Sequence, residues 1–139
     1  MVSKTARIVL VEDNPGDVLL VKRALQEQGI AVDLTCFGDG QRALNDLTQQ
    51  HGRKAPDLIL LDLDLPKVAG VDVLKAIRNT PHLADVPVLI LTSSASPSDN
   101  HRTALLGAAR YITKPSGLDD FLREVGRSVE EMLLASGWK

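Results

Sequence analysis

The chain has 139 residues, 44% of them apolar and 24% charged, and carries a net charge of −2. That length suits one domain whose core is stable without staples, and the near-neutral balance gives no general pull toward nucleic acid or an anionic membrane, though it leaves room for a local patch. No apolar run reaches the roughly 18 residues of a membrane span, and Glu12 and Asp13 cut the first apolar run too short for a signal peptide, so the expected setting is the cytoplasm.

In chain order, Arg7–Glu12 reads as a buried strand by length and β-branched content. Asn14-Pro15 reads as a helix cap followed by proline at the first helical position. Val18, Val21 and Leu25 continue at helical spacing to about Gln28, and Gly29 ends the helix. Val32–Phe37 is a second strand, in which the single cysteine, Cys36, reads as a small core residue, with a reactive thiol as the alternative. Asp39-Gly40 opens a second helix with Ala43, Leu44 and Leu47 on its apolar face. Asp57–Leu61 is a third strand, apolar enough to be covered on both faces. A loop at Leu65-Pro66 leads to a short helix over Val71–Ile77. Val86–Leu91 is the fourth strand, Pro97 to about Gly107 a weakly apolar helix, and Ala109–Thr113 the fifth strand. Ser116 is placed to cap a last helix in which Leu118, Phe121, Leu122, Val125, Val129 and Met132 share one face.

Five strand–helix units in alternation predict an α/β fold: a doubly wound parallel sheet with right-handed crossovers and helices on both faces. Residues 1–139 then form a single domain, with no room for an output domain after the last helix. In such sheets ligands sit at the carboxyl ends of the strands. Glu12 and Asp13 end the first strand, Asp62 and then Asp64 the third, Thr92 to Ser94 the fourth, and Lys114 the fifth. Carboxylates converging on one rim repel one another unless protons or a cation neutralise them. Magnesium, which favours one or two carboxylates with waters and a phosphoryl oxygen, fits that set. Asp62 ends the most buried strand and is the candidate nucleophile toward phosphorus. Lys114 is the candidate point charge for phosphoryl oxygens and Thr92 the candidate hydroxyl donor.

The segments Val11-Glu12-Asp13-Asn14, Leu61-Asp62-Leu63-Asp64-Leu65-Pro66, Leu91-Thr92-Ser93 and Tyr111-Ile112-Thr113-Lys114-Pro115 together resemble the two-component response-regulator receiver family, over nearly the whole chain. The resemblance implies a flavodoxin-like strand order, 2-1-3-4-5, and phosphoryl transfer from a sensor histidine kinase to Asp62. It implies Mg2+ on Glu12, Asp13, Asp62 and the backbone carbonyl at Asp64, with Thr92 and Lys114 reading the phosphoryl group. It makes Tyr111 the switch aromatic that turns inward with Thr92, and it implies a cis Lys114–Pro115 bond. The stretch Val11 to Val18 and the long last helix with Trp138 near its end are similar to the single-domain regulators paired with phytochromes. In that subgroup the partner is a phytochrome kinase, and homodimers form through the fourth helix, fifth strand and fifth helix. Asp64 departs from the asparagine common in the subgroup, and Ala69-Gly70 from the family's Asp-Gly.

Three other readings compete. A haloacid-dehalogenase phosphatase would use Asp62-Leu63-Asp64, but that motif belongs on a first strand and here stands mid-chain, with Pro66 where a Thr or Val is expected. A receiver that only docks a partner usually lacks one of the key residues, and all are present. A flavin binder needs a glycine- and hydroxyl-rich phosphate loop, where Glu12-Asp13 would repel the phosphate. His51, His82 and His101 lack metal-ligand spacing and read as exposed. Arg102, Arg110, Arg123 and Arg127 read as a solvated face, with a docking or dimer surface as the alternative.

Overall fold

The computed structural model describes residues 5–49 and 55–138. Five parallel strands, β1 (Ala6–Val11), β2 (Val32–Phe37), β3 (Leu58–Leu61), β4 (Val88–Thr92) and β5 (Arg110–Thr113), form one sheet in the order β2-β1-β3-β4-β5. Five helices connect and cover them: α1 (Pro15–Glu27), α2 (Gly40–Thr48), α3 (Gly70–Arg78), α4 (Pro97–Leu105) and α5 (Leu118–Ala135). This is the doubly wound parallel sheet that the alternation predicts, in the flavodoxin-like order that the family resemblance implies. A 3-10 turn at Pro81–Leu83, for which the sequence carries no local signal, precedes β4.

Alternate residues of the central strands feed two cores. Ile8, Leu10, Leu58, Leu60, Leu89 and Leu91 face α1 and α5, where they meet Val21, Leu25, Val125 and Val129. Val9, Val11, Ile59, Leu61, Val88 and Ile90 face the other way and pack on Leu47, Val73, Leu74 and Ile77. Both faces are apolar, so β3 shows no polar alternation and is buried throughout.

Caps fix where the helices start. The Asn14 side chain accepts from Gly16 N at 2.8 Å and Asp17 N at 3.2 Å, with Pro15 at the first helical position. Asp39 accepts from Arg42 N at 2.8 Å at the start of α2. α1 ends in a Schellman turn: Gly29 takes φ +76°, its N–H donates to Gln26 O, and Ile30 N–H donates to Leu25 O. Trp138 returns from the end of α5 to pack against the α1–α5 core.

Several expectations are corrected. Cys36 is exposed, because β2 is an edge strand with no second neighbour to cover it. Partial desolvation by the neighbouring residues still raises its thiol pKa, with the Lys22 charge opposing, which does not favour a reactive thiolate. Lys114–Pro115 is trans, since no cis peptide bond occurs among the described residues; trans is the ordinary preference even before proline. Ser116 does not cap α5; the cap position is Gly117, which has no side chain to offer, and Asp119 and Asp120 supply the favourable charge at that helix start. β3 begins at Leu58, one residue later than expected, and just before it the carboxylate of Asp57 accepts the Arg7 N–H at 2.8 Å. β4 begins at Val88, two residues later than expected, and includes Thr92.

Candidate functional site

The strand register alone collects the rim. Val11 pairs with Leu61, Leu61 with Ile90, and Thr92 with Thr113, so the residues at or just past these ends are neighbours. Asp62 N–H donates to Val11 O and Lys114 N–H to Thr92 O at 2.7 Å. Glu12, Asp62 and Thr92 are all buried, whereas Asp13 is exposed.

Lys114 is the centre of the cluster. Its Nζ donates to Glu12 Oε1 at 2.6 Å, Asp17 Oδ2 at 2.8 Å and Asp62 Oδ2 at 3.1 Å. An ammonium has three N–H donors, and these three carboxylates match them one for one. Backbone amides take the second oxygen of two of them: Glu12 Oε2 accepts from Asn14 N at 3.1 Å, and Asp62 Oδ1 accepts from Asp64 N at 3.1 Å. One cation among so many carboxylates leaves the rim short of positive charge. The Glu12 carboxyl is accordingly pushed up to about 7, chiefly by burial, with the Asp62 charge adding to it and the Lys114 hydrogen bond opposing. Burial alone would lower the Lys114 pKa, but its hydrogen bonds to Asp17 and Glu12 and the charge of Asp62 outweigh that and raise it.

Glu12, Asp13 and Asp62 each offer an oxygen, and the three atoms lie within 4.8 Å of one another. Hard oxygen donors so disposed, with negative charge in excess, fit a hard divalent cation. The carboxylate of Asp64 is exposed and stands outside this trio.

A second network joins the rim to α4. Ser94 N–H approaches Thr92 Oγ1 at 3.4 Å, and Ser94 Oγ donates to Asp99 Oδ2 at 2.6 Å. The Tyr111 hydroxyl donates to Ser94 O at 2.8 Å, and the Thr113 hydroxyl shares that oxygen at 3.3 Å. The ring is half-buried beside α4 and packs on the α2–α3 core. Thr92 and Tyr111 therefore meet at one residue, Ser94.

Of the residues singled out from the sequence, Glu12, Asp13, Asp62 and Lys114 come together, and Thr92 stands at the adjoining strand end. Asp17, inside the Val11–Val18 stretch, joins them without any local signal of its own: it lies in the helix turn that Asn14 caps, and its carboxylate reaches Lys114. His82 and His101 are exposed as expected, and His51 lies outside the described residues. Among the four arginines, Arg110 pairs with Glu131 at 2.8 Å and Arg123 with Asp120 at 3.5 Å, while Arg102 and Arg127 are exposed.

Comparison with known proteins agrees with this geometry. Residues 8–126 match the response regulator receiver domain. FilR2 of Methanothrix harundinacea, named a probable methanogenesis regulatory protein, is 37% identical over 133 residues, covering 94% of this chain and 84% of its own. Response regulator Rcp1 of Synechocystis is 38% identical over 121 residues, covering 85% and 82%; its Mn(2+)-bound crystal structure superposes with a TM-score of 0.84 at 36% identity, over 92% of this chain and 94% of that one. The phosphorylated cyanobacterial phytochrome response regulator RcpA superposes with a TM-score of 0.86 at 34% identity over 96% of both chains. No helix among the described residues is long and apolar enough to cross a membrane.

Proposed function

Because this chain belongs to the response regulator receiver domain family of two-component signalling, we propose that it is a phosphorelay switch that accepts a phosphoryl group from a sensor histidine kinase onto Asp62. The observation that carries this reading is the contact of one ammonium, Lys114 Nζ, with both Asp62 and Glu12 at the carboxyl rim of a parallel sheet. An oxygen of Asp62 attacks phosphorus, the bond from phosphorus to the donor nitrogen breaks, and the nitrogen leaves with its electron pair, giving an acyl phosphate. Asp62 is suited to this because its Oδ1 is held by Asp64 N, which orients Oδ2. Lys114 follows the developing charge on the phosphoryl oxygens, and the Thr92 hydroxyl donates to one of them. Glu12, Asp13 and Asp62, with the backbone carbonyl of Asp64, would hold a magnesium ion, which when bound neutralises charge on the phosphoryl oxygens. The chain turns over only its own acyl phosphate.

The signal leaves through Thr92. Its movement toward the phosphoryl group pulls on Ser94, whose carbonyl holds Tyr111 and whose hydroxyl holds Asp99 of α4. Likeness to RcpA supports a phytochrome-type kinase as the donor. The α4–β5–α5 face, where Leu105 is 75% exposed, is the surface we assign to a homodimer. Charge reversal at Arg102, Arg110, Arg123 and Arg127 then weakens self-association in sedimentation, and an unchanged equilibrium contradicts that assignment.

Phosphoryl transfer from a labelled histidine-kinase domain tests the main reading. Label appears on the native chain and not on Asp62→Asn; label of equal stoichiometry on the variant contradicts it.

A further inference from the structure

We propose that Asp17 is a positioning residue that draws the Lys114 ammonium away from Glu12 and Asp62, leaving those two carboxylates open to a divalent cation; this rests on the reading of Glu12, Asp13 and Asp62 as a cation site. Lys114 Nζ spends its three donors on Glu12, Asp17 and Asp62. Two of these acceptors also belong to the acidic trio, and Asp17 alone does not. A cation arriving at Glu12 and Asp62 meets an ammonium already bonded to both, and like charges at hydrogen-bonding range repel. Asp17 is the acceptor that keeps a hold on the ammonium when the other two are taken.

The local structure suits it to that task. Asp17 lies in the first turn of α1, its own N–H bonded to Asn14 Oδ1 at 3.2 Å. α1 is packed along α5 by Val21, Leu25, Val125 and Val129. The Asp17 side chain is only 23% exposed, so its 2.8 Å ion pair is largely shielded from water. A merely structural Asp17 would be an acid favourably placed at a helix start, worth a fraction of a kcal/mol wherever Lys114 happened to be. The two roles differ in whether the effect of Asp17 passes through Lys114.

A double-mutant cycle on the full chain, read by calorimetric titration with MgCl2, separates them. In the native background Asp17→Asn weakens Mg2+ binding about tenfold, and in the Lys114→Gln background, where only the screened through-space charge of Asp17 acts, about twofold or less. Equal losses in the two backgrounds, or no loss in either, overturn the proposal. If Lys114→Gln does not fold, lysine-selective NMR decides. With Mg2+ present the two Lys114 Hε signals stay distinct in the native chain and merge in Asp17→Asn; identical behaviour overturns the proposal. A native chain that binds no Mg2+ at millimolar concentration overturns the cation-site reading itself, whereas binding that is equal in native and Asp17→Asn overturns only the role of Asp17.

Discussion

A Cβ on Gly70 would collide with the backbone carbonyl oxygen of Asp62, and with the Cα of Leu63 next to it. The start of α3 is thus laid directly against the backbone that carries the candidate phosphoacceptor. Gly70 N–H also donates to Leu63 O at 3.1 Å, closing the loop. The family's Asp-Gly pair is Ala69-Gly70 here, and it is the glycine that the close approach requires.

Gly70→Ala must therefore displace the Asp62 backbone or the start of α3. Overpacking of this kind costs about 2 kcal/mol. The expected outcome is a lower urea midpoint with unchanged slope, together with slower acceptance of phosphoryl groups from acetyl phosphate. Full stability with a native rate would mean that the loop yields freely.

The Glu12 carboxyl sits at about 7 in the folded chain, against about 4.5 as the ordinary value, mainly because burial disfavours its charge. The folded state therefore binds this proton more tightly than the unfolded state. The stability it contributes is full below the ordinary value and is lost as pH rises through about 7. Without divalent cations, the native chain should lose stability between pH 4.5 and about pH 7, and Glu12→Gln should flatten that slope. Mg2+ affinity should rise across the same window, because the proton must leave first. Lys114, whose pKa is raised, stays charged throughout. Thermal unfolding at a series of pH values in EDTA checks the first claim, and a slope that Glu12→Gln leaves unchanged contradicts it.

Tyr111 and Thr92 both hydrogen-bond to Ser94. Tyr111→Phe removes one hydrogen bond and keeps the ring, so the stability change should be about 1 kcal/mol. Phosphoryl acceptance by Asp62 should be unaffected, while the phosphorylation-induced amide shifts over 97–108 should shrink. Undiminished shifts in α4 would show that the hydroxyl carries no part of the signal.

Much of the fold was legible in the sequence. β1 and β4 stand out as short runs rich in β-branched residues and β3 as a short apolar run, and Asn14-Pro15, Gly29 and Asp39-Gly40 mark helix ends by chemistry that acts within a few residues. The strand-end position of Glu12, Asp62, Thr92 and Lys114 followed from alternation alone. What depended on distant partners was not legible. Cys36 reads as core from its apolar neighbours, and its exposure depends on what covers that end of β2. Asp17 and Lys114 stand 97 residues apart, and nothing local in either announces the ion pair. The 3-10 turn at Pro81–Leu83 is equally tertiary: its carbonyls are held by Arg78, whose Nη1 donates to Leu83 O at 3.3 Å and Ala84 O at 3.1 Å.

The same guanidinium reaches Gly107 O at 3.0 Å, tying the end of α3 to the end of α4. Arg78→Met removes the guanidinium donor from Ala84 O and Gly107 O, while Leu83 O keeps the Val86 N–H, and should cost about 2 kcal/mol in chemical denaturation. It lies away from the carboxylate rim, so the folded variant should accept phosphoryl groups at the native rate. A folded variant that accepts them much more slowly would place Arg78 in the switch itself.

The central claim is that Asp62 is the phosphoacceptor of a cation-dependent receiver. Intact-protein mass after incubation with acetyl phosphate, with and without MgCl2, on the native chain and on Asp62→Asn, tests it most directly. The account predicts a gain of one phosphoryl mass that needs Mg2+ and is absent in the variant. No gain in the native chain, with acetyl phosphate or with a kinase as donor, would contradict it and leave a domain that only docks its partner.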